Sequence, residues 1–127
     1  MPVAYEELTP GHEFPPVDYV LDAGVVAAYV EAVGASRRSY VPPLAVAARA
    51  IASLGGLIEL LPGTIHAAQD FEFSRLVPVG SRVTCVARVQ RKLSRGGMRM
   101  LTLEMNVTDE AGMPVQRGRS TIVLPGA

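Results

Sequence analysis

Little in this chain marks it for a charged partner, for disulfide cross-linking or for a metal. Among its 127 residues there is one cysteine, there are two histidines, and twelve basic residues are cancelled by twelve acidic ones. Cys85 alone cannot close an internal disulfide, so a reducing compartment is expected, with the thiol acting as a small apolar strand residue. The neutral balance excludes the electrostatic footprint of a nucleic-acid binder or of a protein held on an anionic membrane. No HxxxH or CxxC spacing offers a metal site. Neither a glycine-rich phosphate loop nor a GxSxG nucleophile turn occurs, and no cofactor is implied. Met1–Pro10 holds Glu6 and Glu7 and no basic-then-apolar run, so no signal peptide is expected and the cytoplasm is the expected location. Leu44–Leu61 is long and apolar enough to raise a membrane span. Arg49, Glu59 and the Gly55-Gly56 pair interrupt it, and no aromatic anchors flank it, which argues for a soluble helix.

What the chain does have is apolar patterning. Its hydrophobic fraction of 49% is ample for a core, and its length predicts a single domain over residues 1–127. Phe14–Leu21 reads as a first strand opened by Pro15-Pro16. Asp22 is placed to cap a short helix over Ala23–Val33, which Gly34 ends. Pro43 sits where a first helical turn tolerates proline, and Leu44–Leu61 follows as a long helix. That helix shows only a narrow polar stripe of Arg49, Ser53, Gly56 and Glu59, so wrapping on most sides is expected.

Strand patterns fill the remainder. In Thr64–Leu76, Ile65, Ala67, Phe71 and Phe73 share one parity with Gln69 interrupting it, and His66, Asp70, Glu72 and Ser74 take the other. Val83, Cys85, Ala87 and Val89 alternate with mostly polar neighbours in Arg82–Arg91, as do Leu101, Leu103, Met105 and Val107 in Met98–Thr108. Period two over such lengths predicts a sheet with one buried face. Arg95-Gly96-Gly97 and Asp109–Pro114 are turns, and Val115–Leu124 is the last strand. The order of elements is strand, short helix, long helix, four strands. It predicts an α+β fold in which one central helix is wrapped by a curved antiparallel sheet of about five strands.

Chemistry is expected at the start of the long helix, where backbone N–H groups can polarise a carbonyl or hold an oxyanion. Proline has no N–H, so Leu44, Ala45 and Val46 are the donors. A thioester carbonyl held there would acidify its α-carbon, and hydration or dehydration would further need an acid and a base within hydrogen-bond reach. Ala35–Val46 contains no Asp, Glu or His. Arg37 and Arg38 are candidates for holding a phosphate-bearing substrate tail. Tyr40 is a weak candidate proton donor, since an ordinary tyrosine is a poor base. His66 is the remaining imidazole candidate. It lies roughly 13 Å along the strand from Asp70, so it would need a carboxylate from elsewhere.

The chain resembles a MaoC-like hotdog domain, close to (R)-specific enoyl-CoA hydratases and 3-hydroxyacyl-thioester dehydratases. The resemblance is carried by Tyr5-Glu-Glu-Leu-Thr-Pro-Gly11, Val41-Pro-Pro-Leu44, Ile65-His-Ala-Ala-Gln-Asp-Phe-Glu-Phe73 and Val77-Pro-Val-Gly80. It implies a hotdog fold, an acyl-CoA or acyl-carrier-protein thioester as ligand, and a second hotdog chain as partner, in fatty acid metabolism. Catalytic members carry Asp-x-Asn-Pro-(Leu/Ile)-His. With Pro43-Leu44 as anchor, the aspartate place falls on Tyr40, the asparagine place on Pro42 and the histidine place on Ala45. The family's Pro-Val-x-x-Gly-Asp turn is altered as well, with Leu76 in the proline place and Ser81 in the aspartate place. The resemblance is therefore to the catalytically degenerate domains and subunits of the family. It implies the non-catalytic acyl-binding component of a hydratase or dehydratase. The alternatives are a stand-alone hydratase or thioesterase whose catalysis has moved to His66, and a homodimeric binding module without chemistry.

Overall fold

The computed structural model describes residues 2–24 and 40–125. The short helix expected over Ala23–Val33 falls largely outside them.

Three strands form the middle of the sheet: β3 (Arg82–Arg95), β4 (Met98–Asp109) and β5 (Pro114–Leu124). Gly96 and Gly97 join β3 to β4 with φ of +56° and +79°, the left-handed conformations that a two-residue hairpin loop demands at both positions. With β1 (Val17–Val20) and β2 (Ile65–Phe73) the strand order is β1-β3-β4-β5-β2, and every pairing is antiparallel. The period-two reading of β3 and β4 holds: Val83, Cys85, Ala87, Val89, Leu101, Leu103, Met105 and Val107 are all buried on one face. Alternation works here because these strands have one wet face and one dry face. On β5 the buried set is Val115, Gln116, Gly118, Ser120, Ile122 and Leu124, partly polar or without a side chain.

The first strand is shorter than Phe14–Leu21. Pro15 and Pro16 have no N–H to give the ladder, so β1 begins at Val17. Glu13 and Phe14 instead meet β3 separately, through a Glu13–Arg88 bridge and a Phe14 N–H to Ala87 carbonyl bond of 2.9 Å.

Helix α1 runs from Pro43 to Ser53 and tightens into a 3-10 turn over Leu54–Gly56. The expected continuation to Leu61 is wrong, because two successive glycines carry the highest entropic cost in a helix. Beyond them Ile58 forms a parallel bridge with Val3, with Val3 N–H to Leu57 carbonyl at 3.0 Å and Glu59 N–H to Val3 carbonyl at 2.9 Å. Wrapping is also less complete than expected. Ala45, Val46, Ala47 and Ala50 are buried, but Leu44, Ala48 and Ala52, each four residues apart on one face, are exposed along with Arg49.

The edge strand β2 is Ile65–Phe73 rather than Thr64–Leu76. Its register slips between His66, opposite Ile122, and Ala68, opposite Thr121. Ala67 is the extra residue of a bulge. Directly opposed residues in an antiparallel pair share a face, so His66 lies with Ile122 on the helix side. Gln69, Phe71 and Phe73 lie there too, opposite Ser120, Gly118 and Gln116. The expected parity that joined His66 to Asp70 and Glu72 is corrected by that one residue. Asp70 and Glu72 face outward, paired with Arg119 and Arg117 at 3.1 and 3.7 Å.

Two outcomes follow from this packing. A Cβ on Gly118 would come within 2.6 Å of two Phe71 ring carbons and 2.9 Å of the Asp70 carbonyl. Gly118→Ala is expected to lower unfolding free energy by about 1–3 kcal/mol in urea titration, the usual range for overpacking. In the β4–β5 turn, Asp109 accepts the N–H groups of Met113 and Ala111 and pairs with Arg75. The Met113 N–H first, with Arg75 and Ala111 behind it, holds its carboxyl below the usual aspartate value. A lowered native pKa gives stability that is present above the unfolded value and lost as pH falls through the native one. The stability gap between the wild type and Asp109→Asn is therefore expected to be largest at neutral pH and to close as the pH drops below the ordinary carboxylate range.

Candidate functional site

The chain reaches α1 from the β2–β3 loop side. Tyr40 bridges Pro78, and the Val41 N–H bonds the Val77 carbonyl at 2.8 Å. Pro42 occupies the N-cap position and supplies no side-chain cap. Its carbonyl takes both the Ala45 N–H, at 2.9 Å, and the Val46 N–H, at 3.3 Å. Two of the three expected donors are thereby spent inside the chain. Only the Leu44 N–H has no acceptor among the described residues, and the Leu44 side chain is 60% exposed. From below, the Gln116 amide donates to the Pro43 carbonyl at 2.7 Å. Gln116 is buried and its Oε1 has no partner among the described residues. Tyr40 is half-exposed on the surface side of the helix start. Arg37 and Arg38 lie outside the described residues.

His66 is at the other end of the helix. Ten residues from Leu44 to Leu54 advance about 15 Å along the axis, so Tyr40 and His66 do not form one site. His66 does border a cavity of about 420 Å³, walled by Ile51, Leu54, Ile58, Leu60, Leu61 and Ile122, with Thr64 at its rim. That volume is in the range of small-molecule sites. Its ring Nε2 lies 3.0 Å from Gln69 Oε1, and the hydroxyl of fully buried Ser120 bonds the same oxygen. The Gln69 amide nitrogen donates to the Asp70 carbonyl at 3.0 Å. None of these partners is a carboxylate, and the nearest acids on β2 face the opposite side of the sheet.

Between helix and sheet lies a further buried group. Tyr19 packs its ring against the Arg49 guanidinium, 5.0 Å from the ring centroid, and its hydroxyl has no partner among the described residues. Burial pushes its pKa up. Burial likewise pushes up the Cys85 thiol, which is a core residue on β3. Among the described residues no three His, Cys, Asp or Glu side chains gather to hold a metal ion. No helix among them is long and apolar enough to cross a membrane.

Gln116, Gln69, Ser120 and the cavity at the end of α1 were not legible from residue types. The signal for one of them was present: the polar Gln69 interrupting the parity of β2 marked the bulge. Gln116 loses one hydrogen bond and sheds one unpaired buried oxygen on replacement by Met. Gln116→Met is accordingly expected to stay within about 1 kcal/mol of the wild type, as read from the urea midpoint. A loss above about 2 kcal/mol would mean that the orphan oxygen holds an ordered water.

The chain has relatives both by sequence and by fold. A family model described as FAS1-like, dehydratase domain region, matches residues 42–117. A search of curated proteins finds no match. Among solved structures, the R-hydratase PhaJ1 of Pseudomonas aeruginosa superposes with a TM-score of 0.80 at 19% identity, over 99% of this chain and 88% of that one. The MaoC-like dehydratase of Rhodospirillum rubrum gives a TM-score of 0.76 at 18% identity, over 96% of each chain. A C-terminally truncated HadBC (3R-hydroxyacyl-ACP dehydratase) complex from Mycobacterium tuberculosis gives 0.74 at 15% identity, over 90% of this chain and 96% of that one. At these identities the likeness is one of fold: among the described residues, a central helix on a five-stranded antiparallel sheet, the hotdog arrangement.

Proposed function

Because this chain belongs to the FAS1-like dehydratase-region family and folds as a MaoC-like hotdog, we propose that it is the acyl-thioester-binding, non-catalytic component of a hydratase or dehydratase. One observation carries the reading: the helix start has neither a base nor an acid. Tyr40 and Ala45 stand where the family pattern has aspartate and histidine. The Ala45 and Val46 N–H groups are already bonded to Pro42. A site for α-proton chemistry needs an ionisable pair near neutral pKa within reach of the α- and β-carbons. A half-exposed tyrosine and a methyl group supply neither.

Binding is better provided for than catalysis. The helix-end cavity is apolar and of a size for an acyl tail. The thioester end, whether of coenzyme A or of a carrier protein, would lie outside it; Arg37 and Arg38, which lie outside the described residues, are proposed as phosphate contacts from their residue types alone. His66 as a catalytic base is disfavoured, because its imidazole is held by an amide and not by a carboxylate.

A second hotdog chain fits the surface that remains open. β2 is an edge of the sheet, with Ile65 61% exposed and Phe73 48% exposed, and an unpaired apolar edge is a template for another strand. The exposed Leu44–Ala48–Ala52 face of α1 adds small side chains on which a neighbouring helix can lie closely. The whole chain then acts as one domain, and a cytoplasmic setting suits its single buried thiol.

Hydration of a short and a long trans-2-enoyl-CoA by the purified protein, with its mass in solution measured alongside, tests this. No turnover is expected from the chain alone, together with retained binding of the longer thioester. Robust turnover by the pure protein would sink the reading.

A further inference from the structure

We propose that the helix-end cavity selects ligands whose apolar chain carries a hydroxyl, and that His66 is the residue that recognises it. This rests on the acyl-binding reading above and adds the chemistry of the chain that is bound.

The Ala67 bulge turns His66 to the helix side of the sheet, where it borders the cavity. Its tautomer is then set by Gln69. The Gln69 amide nitrogen donates to the Asp70 carbonyl, so the amide oxygen is the atom turned toward His66 and Ser120. An amide oxygen only accepts. The proton between Gln69 and His66 therefore sits on Nε2, and Nδ1 carries the free lone pair of the neutral ring. Ser120, fully buried, donates to the same oxygen and fixes it from behind. Nδ1 has no partner among the described residues.

The cavity's other polar side chain has the same character. Thr64 commits its hydroxyl proton to the Leu61 carbonyl at 2.6 Å, which leaves lone pairs only. The remaining walls are Ile51, Leu54, Ile58, Leu60, Leu61 and Ile122, with alanine and glycine between them. The side chains thus offer acceptors and no donor. A plain alkyl chain laid against Nδ1 takes away its water and returns nothing. A carboxylate would set lone pairs against lone pairs, with no cation in the wall to hold it. An ammonium would leave its charge stranded among leucines. A hydroxyl gives Nδ1 one proton and keeps the rest of the ligand apolar. Because His66 is itself exposed, the hydroxyl sits at the mouth and the tail lies inside.

Calorimetric titration of the full-length protein with 1-octanol and with its methyl ether, 1-methoxyoctane, separates donor from tail. The alcohol is expected to bind about fivefold more tightly, the worth of one neutral hydrogen bond. His66→Phe keeps a ring on the edge strand and removes the acceptor, and is expected to make the two probes equal. Gln69→Met leaves His66 in place but releases its tautomer, and is expected to narrow the gap. Equal binding to the wild type would overturn this inference and leave the acyl-binding reading standing. A gap that survives His66→Phe would also overturn it. If neither probe binds while the longer thioester still does, this inference alone is overturned; if the thioester fails to bind as well, the acyl-binding reading falls with it.

Discussion

The pairing of β2 with β5 governs what the concave side of this sheet can hold. Side chains alternate with a period of two, so one inserted residue exchanges the two faces of everything on one side of it. Ala67 is that residue. Downstream of it, Asp70 and Glu72 stay outside against Arg119 and Arg117, while Phe71 and Phe73 turn inward. Upstream, His66 is brought from the charged face to the helix face. Gly118 is the complement of this arrangement, because Phe71 occupies the space where any side chain on β5 would have to go. Without the bulge the imidazole would stand on the outer face, and the cavity would have Thr64 as its sole polar side chain.

A second constraint comes from the shortness of the helix. α1 is eleven residues long, and it gives way at the glycine pair to an extended stretch that pairs with Val3. A helix continuing to Leu61 would run isoleucine and leucine over the space where the cavity now lies. The break therefore creates the cavity, and the N-terminal segment closes its far side by holding Ile58 in place. The exposed face of α1 and the open edge of β2 are the counterparts of that economy. Among the described residues one short helix does not cover the five strands, and the surfaces it leaves bare include the apolar side chains of Leu44, Ile65 and Phe73.

How much of this was legible in the sequence depends on which physical rule was being read. Period two in β3 and β4 identified their buried faces residue by residue, because those strands are interior to the sheet with a single dry side. The same rule failed in β2, where the bulge adds a residue with no signature beyond the polarity of Gln69. It gave little warning of Gln116 and Ser120 on β5, which are polar and yet buried. The helix was placed correctly at Pro43 and overrun at its end, because apolar composition outweighed the glycine pair. At the helix start the missing acid and base were visible as residue types. That Pro42 would absorb the Ala45 and Val46 N–H groups was not, since it depends on how the first turn closes.

The two ends of α1 divide between them what an active hydratase must unite. A carbonyl bound at a helix start is activated in proportion to the free N–H groups that reach it. Here a proline supplies none, the next residue supplies one, and the following two are already bonded to the N-cap carbonyl. The sole ordered imidazole–amide–hydroxyl array among the described residues is a helix length away. That is too far for a single proton transfer to an α-carbon held at Leu44, since such transfer operates within about 3 Å or through one water. Separation of this kind leaves binding intact, because apolar burial has no comparable demand on distance or angle. A fold that keeps its cavity and its open edge while scattering its polar groups is fit to hold a chain and to meet a partner. On the proposed reading, the chemistry is left to the side chains that such a partner presents at the shared edge.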